Sequence, residues 1–403
     1  MTAATPRIAT LDFLRGLAVM GILLANLPAF GLPEAAYFSP LAWGGSDGLD
    51  RAVWFVNFVA VEGKMRGLFS LLFGASMLLV IDRAGDRAAP VHFARMAVLF
   101  ALGCLHLYLI WWGDILAHYA LVGAAAFLFV RLGTRWLVAL ALMFTLADML
   151  LGAGGAVALF DSAGRATPQA REVWNAFAAS FGVPPRADLL AEIAAFRGSF
   201  ADALAWRWNH AMSPFAFALV LGPQTLGAML LGMAGYRSGF LTGAWSRAAY
   251  RRTALICLGI ALPAYAALGL DTIAHGFDQR RVYLASIVIT APFRLLATVG
   301  YAALFILLLR PGGAITARIV AVGRAAFTNY LGTSVLMLLL FTGLHQFARL
   351  SRAELYLVAP AVWTVMLLWS KPWLDRFAYG PLEWLWRSVA RAEVQSMRRT
   401  ERS

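Results

Sequence analysis

Apolar residues run along this chain in blocks of about 17–25, the length that carries an α-helix across roughly 30 Å of hydrocarbon. The blocks fall near 11–31, 54–81, 93–112, 114–131, 135–154, 213–236, 250–270, 283–309, 318–344 and 354–370 and predict ten spans. The two blocks around Gly113 read as a tight hairpin: residues 96–130 as one helix would be about 52 Å long, far beyond one bilayer, and glycine permits the turn. Between 155 and 212 the pattern becomes amphipathic, as in "RADLLAEIAAFRGSFADALAWRW", and Pro168, Pro184 and Pro185 punctuate it. This insert predicts a pair of amphipathic helices on the outer face, either a surface connector or a lid over a binding site. The segment 371–403 follows the last block, and its "WLDRFAYGPLEWLWRS" reads as a cytoplasmic interfacial anchor with snorkelling arginines. No repeat of 20–50 residues is evident. The expected architecture is one all-α domain over 1–403, a polytopic helical bundle in a lipid bilayer.

Composition agrees, at 61% hydrophobic and 14% charged residues against soluble norms near 45–50% and 25%. The net charge of +13 argues for topology rather than nucleic acid, because the arginines sit in short connections and not on one aromatic-interleaved face. The connections 1–10, 82–95, 131–135, 237–252, 310–324 and 371–403 hold 20 Lys and Arg, and the alternate set holds 5. Both termini are therefore expected in the cytoplasm. Asp12 and Arg15 in the first block argue against a cleavable signal. Cys104 and Cys257, both inside apolar runs, support neither a disulfide framework nor a cysteine metal site, and no metal is expected.

Polar residues inside the blocks carry the candidate chemistry, since a charge at mid-membrane costs roughly 2.5–3.5 kcal/mol even on lenient scales. In "LHLYLIWWGDILAHYALVG", Asp114 is the lone acid, with His106 and His118 nearby and no other charge between Arg95 and Arg131. Asp114 caps the second hairpin helix or orients a histidine through His118, Tyr119 or water. His118, four residues on, could meet it on the same face. His106 lies about 10 Å below the turn, where a membrane histidine faces a cavity or a partner. "EGKMRGLFSLLFG" sets Glu62 and Arg66 one turn apart, suited to an ion pair, and holds Lys64, one of two lysines in the chain. Lys64 either faces a central cavity or lies with its neighbours at the interface. Arg15 and Asn26 are three turns apart on one helix face and could share a cavity, while "GRAAFTNYLGTS" offers Arg324, Asn329 and Tyr330 as interhelical hydrogen-bonding groups.

Six stretches resemble, in order and over nearly the whole chain, the YeiB-type family of multi-pass bacterial membrane proteins (domain of unknown function 418): "LDFLRGLAVMGILLAN", "EGKMRGLFSLLFGAS", "LHLYLIWWGDILAHYA", "FRGSFADALAWR", "GRAAFTNYLGTS" and "RFAYGPLEWLWR". The resemblance implies a bacterial inner-membrane location. Its opening helix is similar to those of transmembrane acyltransferases, which move acyl groups from cytoplasmic acyl-coenzyme A to an extracytoplasmic sugar or another hydroxyl or amine acceptor. Asn26 stands where acyltransferase-3 proteins have a histidine. Tyr37 stands at the spacing where heparan-α-glucosaminide N-acetyltransferase has its catalytic histidine. An acyltransferase reading therefore needs another base, and His106 with Asp114 is the physical choice. Arg15, Asn26, Glu62, Lys64, Arg66, Tyr119, Arg207, Arg324, Asn329 and Tyr330 are then candidates for binding donor or acceptor. The alternatives are a proton-coupled small-solute transporter, with Glu62, His106 and Asp114 as relay, and a non-catalytic scaffold.

Overall fold

Without water to satisfy backbone N–H and C=O groups, apolar blocks of this length close their hydrogen bonds internally as helices. The computed structural model describes residues 8–398, and every regular element among them is helical. Residues 1–7 of the leading connection and 399–403 of the basic tail lie outside the described residues. In chain order the helices are α1 (Ala9–Gly31), α2 (Gly48–Ala60), α3 (Lys64–Ala84), α4 (Ala88–Leu105), α5 (Leu116–Ala126) and α6 (Thr134–Ser162). The insert holds α7 (Pro168–Phe181), α8 (Arg186–Arg197) and α9 (Phe200–His210). Beyond it come α10 (Pro214–Arg237), α11 (Arg247–Ala274), α12 (Gln279–Tyr283), α13 (Thr290–Leu308), α14 (Ala314–Arg324), α15 (Ala326–Leu338), α16 (Arg352–Tyr356), α17 (Val358–Arg376) and α18 (Pro381–Arg391).

Among the described residues, eight apolar helical stretches are long enough to cross a membrane, and Leu116–Phe129 is a shorter one. One of the eight, Gly48–Ile110, turns at Gly63 (φ 73°) and Gly85 (φ 54°), left-handed positions that glycine takes without steric cost, and so supplies both α3 and α4. Counting α3 and α4 separately gives nine such stretches, and α5 adds a shorter one.

Three boundaries differ from the sequence expectation. The block 54–81 is cut by the turn at 61–63, so α2 is a separate helix. The block 318–344 breaks at Ala325, and the freed donors at the start of α15 are taken by Glu383 of α18: Phe327 N and Thr328 N donate to Oε1 at 2.7 and 3.1 Å. The insert has three helices rather than two, because Ser199 and Asp202 form a reciprocal capping box that starts α9 just after Gly198.

Helices approach closely where side chains vanish. A Cβ on Gly232 of α10 would lie 1.8 Å from the Leu71 carbonyl oxygen of α3, and one on Gly74 of α3 would lie 2.0 Å from that of Met229. The insert docks on the ends of the bundle helices. Arg197 donates to the carbonyls of Phe347 and Ala348 (2.7 and 2.8 Å), Glu34 N donates to Glu192 Oε1 (2.9 Å), and Arg207 donates to Leu109 O (3.0 Å). This is the insert end, and α18 packs at the opposite, tail end, where Trp386 Nε1 donates to Arg95 O (3.0 Å).

Candidate functional site: a buried histidine–aspartate pair at the insert end

The α4–α5 hairpin builds the site. After Leu105 the chain winds as a single π-turn over His106–Ile110, a geometry frequent at functional sites and found here also at Leu284–Ile289 and Leu339–Gly343. It closes with Trp111 N donating to His106 O at 2.8 Å. Gly103, one turn below, lets α5 press in: a Cβ there would sit 2.2 Å from Ala117 N. Asp114 then does two things at once. Its Oδ2 accepts the Ala117 N–H at 2.9 Å, capping α5, and its Oδ1 accepts from His106 Nδ1 at 2.7 Å.

Both side chains are only 1% exposed. An ionised carboxylate only accepts hydrogen bonds, so the proton lies on Nδ1 and a neutral ring leaves the Nε2 lone pair free. His106 Nε2 has no hydrogen-bond partner among the described residues. The rings of Tyr330 (α15) and Trp111 lie 5.5 and 6.2 Å from the imidazole. Trp111 in turn stacks on Phe30 of α1 at 4.0 Å and donates to Ala29 O at 3.2 Å. An oriented imidazole with one nitrogen uncommitted is equipped for proton abstraction.

The expectations for Asp114 are corrected in one respect. It touches His106 directly rather than through His118, Tyr119 or water, because the π-turn swings His106 up to the cap. His118 does not meet Asp114; its Nε2 pairs with Thr225 Oγ1 at 2.8 Å. Tyr119 bonds Ser70 Oγ at 2.8 Å.

The Glu62–Arg66 pair does not form either. Gly63 turns the chain between them, and Arg66 instead donates to Gln224 Oε1 at 2.7 Å. Lys64 is fully buried, but it lines no cavity. Its amine donates to Phe58 O (2.6 Å) and Glu62 O (3.1 Å) and lies 3.1 Å from the centroid of the Tyr265 ring, so it caps the carbonyl end of α2.

Arg15 and Asn26 are not joined by a side-chain hydrogen bond. Arg15 binds Asp12 (2.7 Å) and Ser76 (3.0 Å), whereas Asn26 is half-buried and makes no side-chain hydrogen bond among the described residues. Asn329 is packing glue: it donates to Val322 O and Ser370 Oγ, both at 3.1 Å, and accepts from Trp369 at 2.9 Å. Arg324 reaches Ala378 O at 3.4 Å.

A second polar cluster escaped the sequence reading. Arg66 binds Gln224, Gln224 Nε2 donates to Asp148 Oδ2 at 3.1 Å, and Arg294 Nη1 lies 3.7 Å from the same oxygen. Ser70, Thr145, Thr225 and Thr298 join Asp148, Gln224 and Arg294 around a cavity of about 20 Å³, room for one water. The missed signal was plain: Asp148 in "TLADMLLG" and Arg294 in "APFRLLATVG" are each the single charge in an apolar run. Among the described residues no three His, Cys, Asp or Glu side chains converge as a metal site.

Residues 235–393 match the model of a family described as protein of unknown function DUF418. Over 98% of its length the chain is 32% identical to the uncharacterized protein YeiB of Escherichia coli (strain K12), covering 99% of that protein. The chain belongs to the DUF418 family. A second relative, the uncharacterized protein YxaH of Bacillus subtilis (strain 168), is 30% identical over 96% of this chain and 95% of its own. The family match spans the C-terminal part of the chain, while the His106–Asp114 hairpin lies before it and is covered by the full-length alignments.

Proposed function

We propose that this DUF418 protein is a transmembrane acyltransferase that moves an acyl group from cytoplasmic acyl-coenzyme A to a hydroxyl or amine acceptor outside, with His106 as general base and Asp114 as its orienter. The observation that carries the reading is the 2.7 Å Nδ1–Oδ1 contact in a fully buried pair whose Nε2 is uncommitted. In the step envisaged, Nε2 takes the acceptor's proton as its oxygen or nitrogen attacks the thioester carbonyl carbon. The carbon–sulfur bond breaks, and the departing coenzyme A thiolate collects that proton from the imidazolium. Losing such a base costs roughly a hundred- to ten-thousandfold in rate.

The arginine asymmetry of 20 against 5 supports the tail end facing the cytoplasm of a bacterial inner membrane, which puts the pair at the acceptor's side. The test is coenzyme A release from acetyl-coenzyme A by the purified full-length protein in nanodiscs. Wild type should turn over, and His106→Ala should fall by that factor while remaining folded. Equal turnover by His106→Ala overturns the assignment. The Arg66–Gln224–Asp148–Arg294 chain favours a second reading, proton-coupled transport of a small solute. On that reading Asp148→Asn abolishes uptake driven by a pH gradient and acyl-coenzyme A is not consumed.

A further inference from the structure

At the insert end Arg197, Arg207 and Arg352 spend their hydrogen bonds on backbone carbonyls, and Asp50 is a charge neighbour of Arg352 alone among them. Arg207 of α9 is 1% exposed, yet its hydrogen bonding among the described residues is confined to Nη2, which reaches the Leu109 carbonyl at 3.0 Å, while Nε and Nη1 have no acceptor. The ring faces of Phe200 and Phe196 lie beside it, with centroids 5.6 and 6.0 Å away. Arg197 donates to two carbonyls, and buried Arg352 donates to Ala36 O at 2.6 Å. None of the three is within ion-pair distance of a carboxylate among the described residues.

The acids buried here do not balance them. Glu192 faces Glu34 through the Glu34 N–H, and burial pushes the Glu192 carboxyl up to about 8 and that of Glu34 upward as well, so at neutral pH neither supplies a full counter-charge to the buried guanidinium groups. A buried guanidinium without a counter-charge is costly, and an anion on its open donors would supply the balance. Of the anions, phosphate oxygens match the planar donor fork of arginine. Near Arg207 in the chain the insert exposes Phe200, Trp208 and Met212, aromatic and apolar groups suited to the headgroup layer.

We propose that Arg207 binds a phosphate group of the acceptor, held beneath the insert beside the His106–Ile110 turn. This rests on the acyltransferase reading for the word acceptor, but not for the phosphate. The phosphate arrives either on a lipid headgroup or on a free phosphate ester.

Thermal unfolding of the purified full-length protein tests this, with inorganic phosphate against chloride at matched ionic strength, and with short-chain phosphatidic acid against the corresponding diacylglycerol. Wild type should show a saturable rise in Tm with phosphatidic acid alone, which assigns a lipid source, or with both probes, which assigns the phosphate group itself. Arg207→Gln should abolish the rise, and Arg207→Lys, which keeps the charge but not the fork, should weaken the apparent affinity about tenfold or more. No rise with either probe overturns the proposal. So does a rise that Arg207→Gln leaves unchanged while lowering the ligand-free Tm, the mark of a purely structural contact to Leu109. A protein that fails this test yet loses coenzyme A turnover in His106→Ala leaves the base assignment standing, and the reverse pattern removes the base alone.

Discussion

Asp114→Asn changes one atom and one charge, and its effect is set by the two hydrogen bonds that Asp114 accepts. The carboxylate takes one from Ala117 N at 2.9 Å and one from His106 Nδ1 at 2.7 Å, one bond on each oxygen. An asparagine has one acceptor oxygen and one donor amide, so it serves only one of these donors. If the oxygen keeps the α5 cap, the amide faces Nδ1, which must then accept. The imidazole proton moves to Nε2, the nitrogen that is to act as base, and catalysis by that tautomer stops. The expected loss is about a thousand- to ten-thousandfold in coenzyme A turnover, the size seen when a base is held in its wrong tautomer. Stability should fall less, by about 1–3 kcal/mol, because a charge-assisted bond is replaced by a neutral one and the Nε2–H becomes a buried donor without a partner. Nitrogen-15 NMR of histidine-labelled protein reads the tautomer directly, and thermal unfolding reads the stability. Asp114→Asn with the proton still on Nδ1 and wild-type turnover would refute the orienting role and leave Asp114 a helix cap alone.

Two further outcomes are expected. Because burial lifts the Glu192 carboxyl to about 8 from an ordinary 4.5, docking of the insert should be fully favoured below about pH 4.5 and weaken as pH rises to 8. The total is on the order of 3 kcal/mol at pH 7, and hydrogen exchange in α8 should track it. Glu192→Gln should flatten that profile, and an equally steep profile in the variant would refute the cause. Asp148→Asn should destabilise the bundle by about 3–5 kcal/mol, since it strands the Arg294 guanidinium 3.7 Å away. Arg294→Gln in the same chain should restore part of the loss; strictly additive losses would show that the two groups are not coupled.

The order and helical nature of the apolar blocks come from the chain alone, because hydrocarbon leaves an apolar block of this length no other way to satisfy its backbone, whereas the breaks inside 54–81 and 318–344 do not. The hairpin at Gly113, the amphipathic insert and the family membership were legible for the same reason: each is written in local composition or contiguous motif. Asp114 as a cap was also legible, being a contact between neighbours in sequence. What the fold alone decided is which distant polar groups meet. Arg66 is spaced to meet Glu62, yet a left-handed turn at Gly63 separates them and Gln224 of α10 takes the guanidinium. Lys64 went to a helix end instead of a cavity through that same turn. Asp148 and Arg294, 146 positions apart in number, come within 3.7 Å because small residues let helices approach and a low-dielectric interior makes isolated charges seek each other. Helical periodicity fixes the face that a residue occupies on its own helix; the rotation and depth of that helix against its neighbours, set by glycine contacts and π-turns, fix its partner.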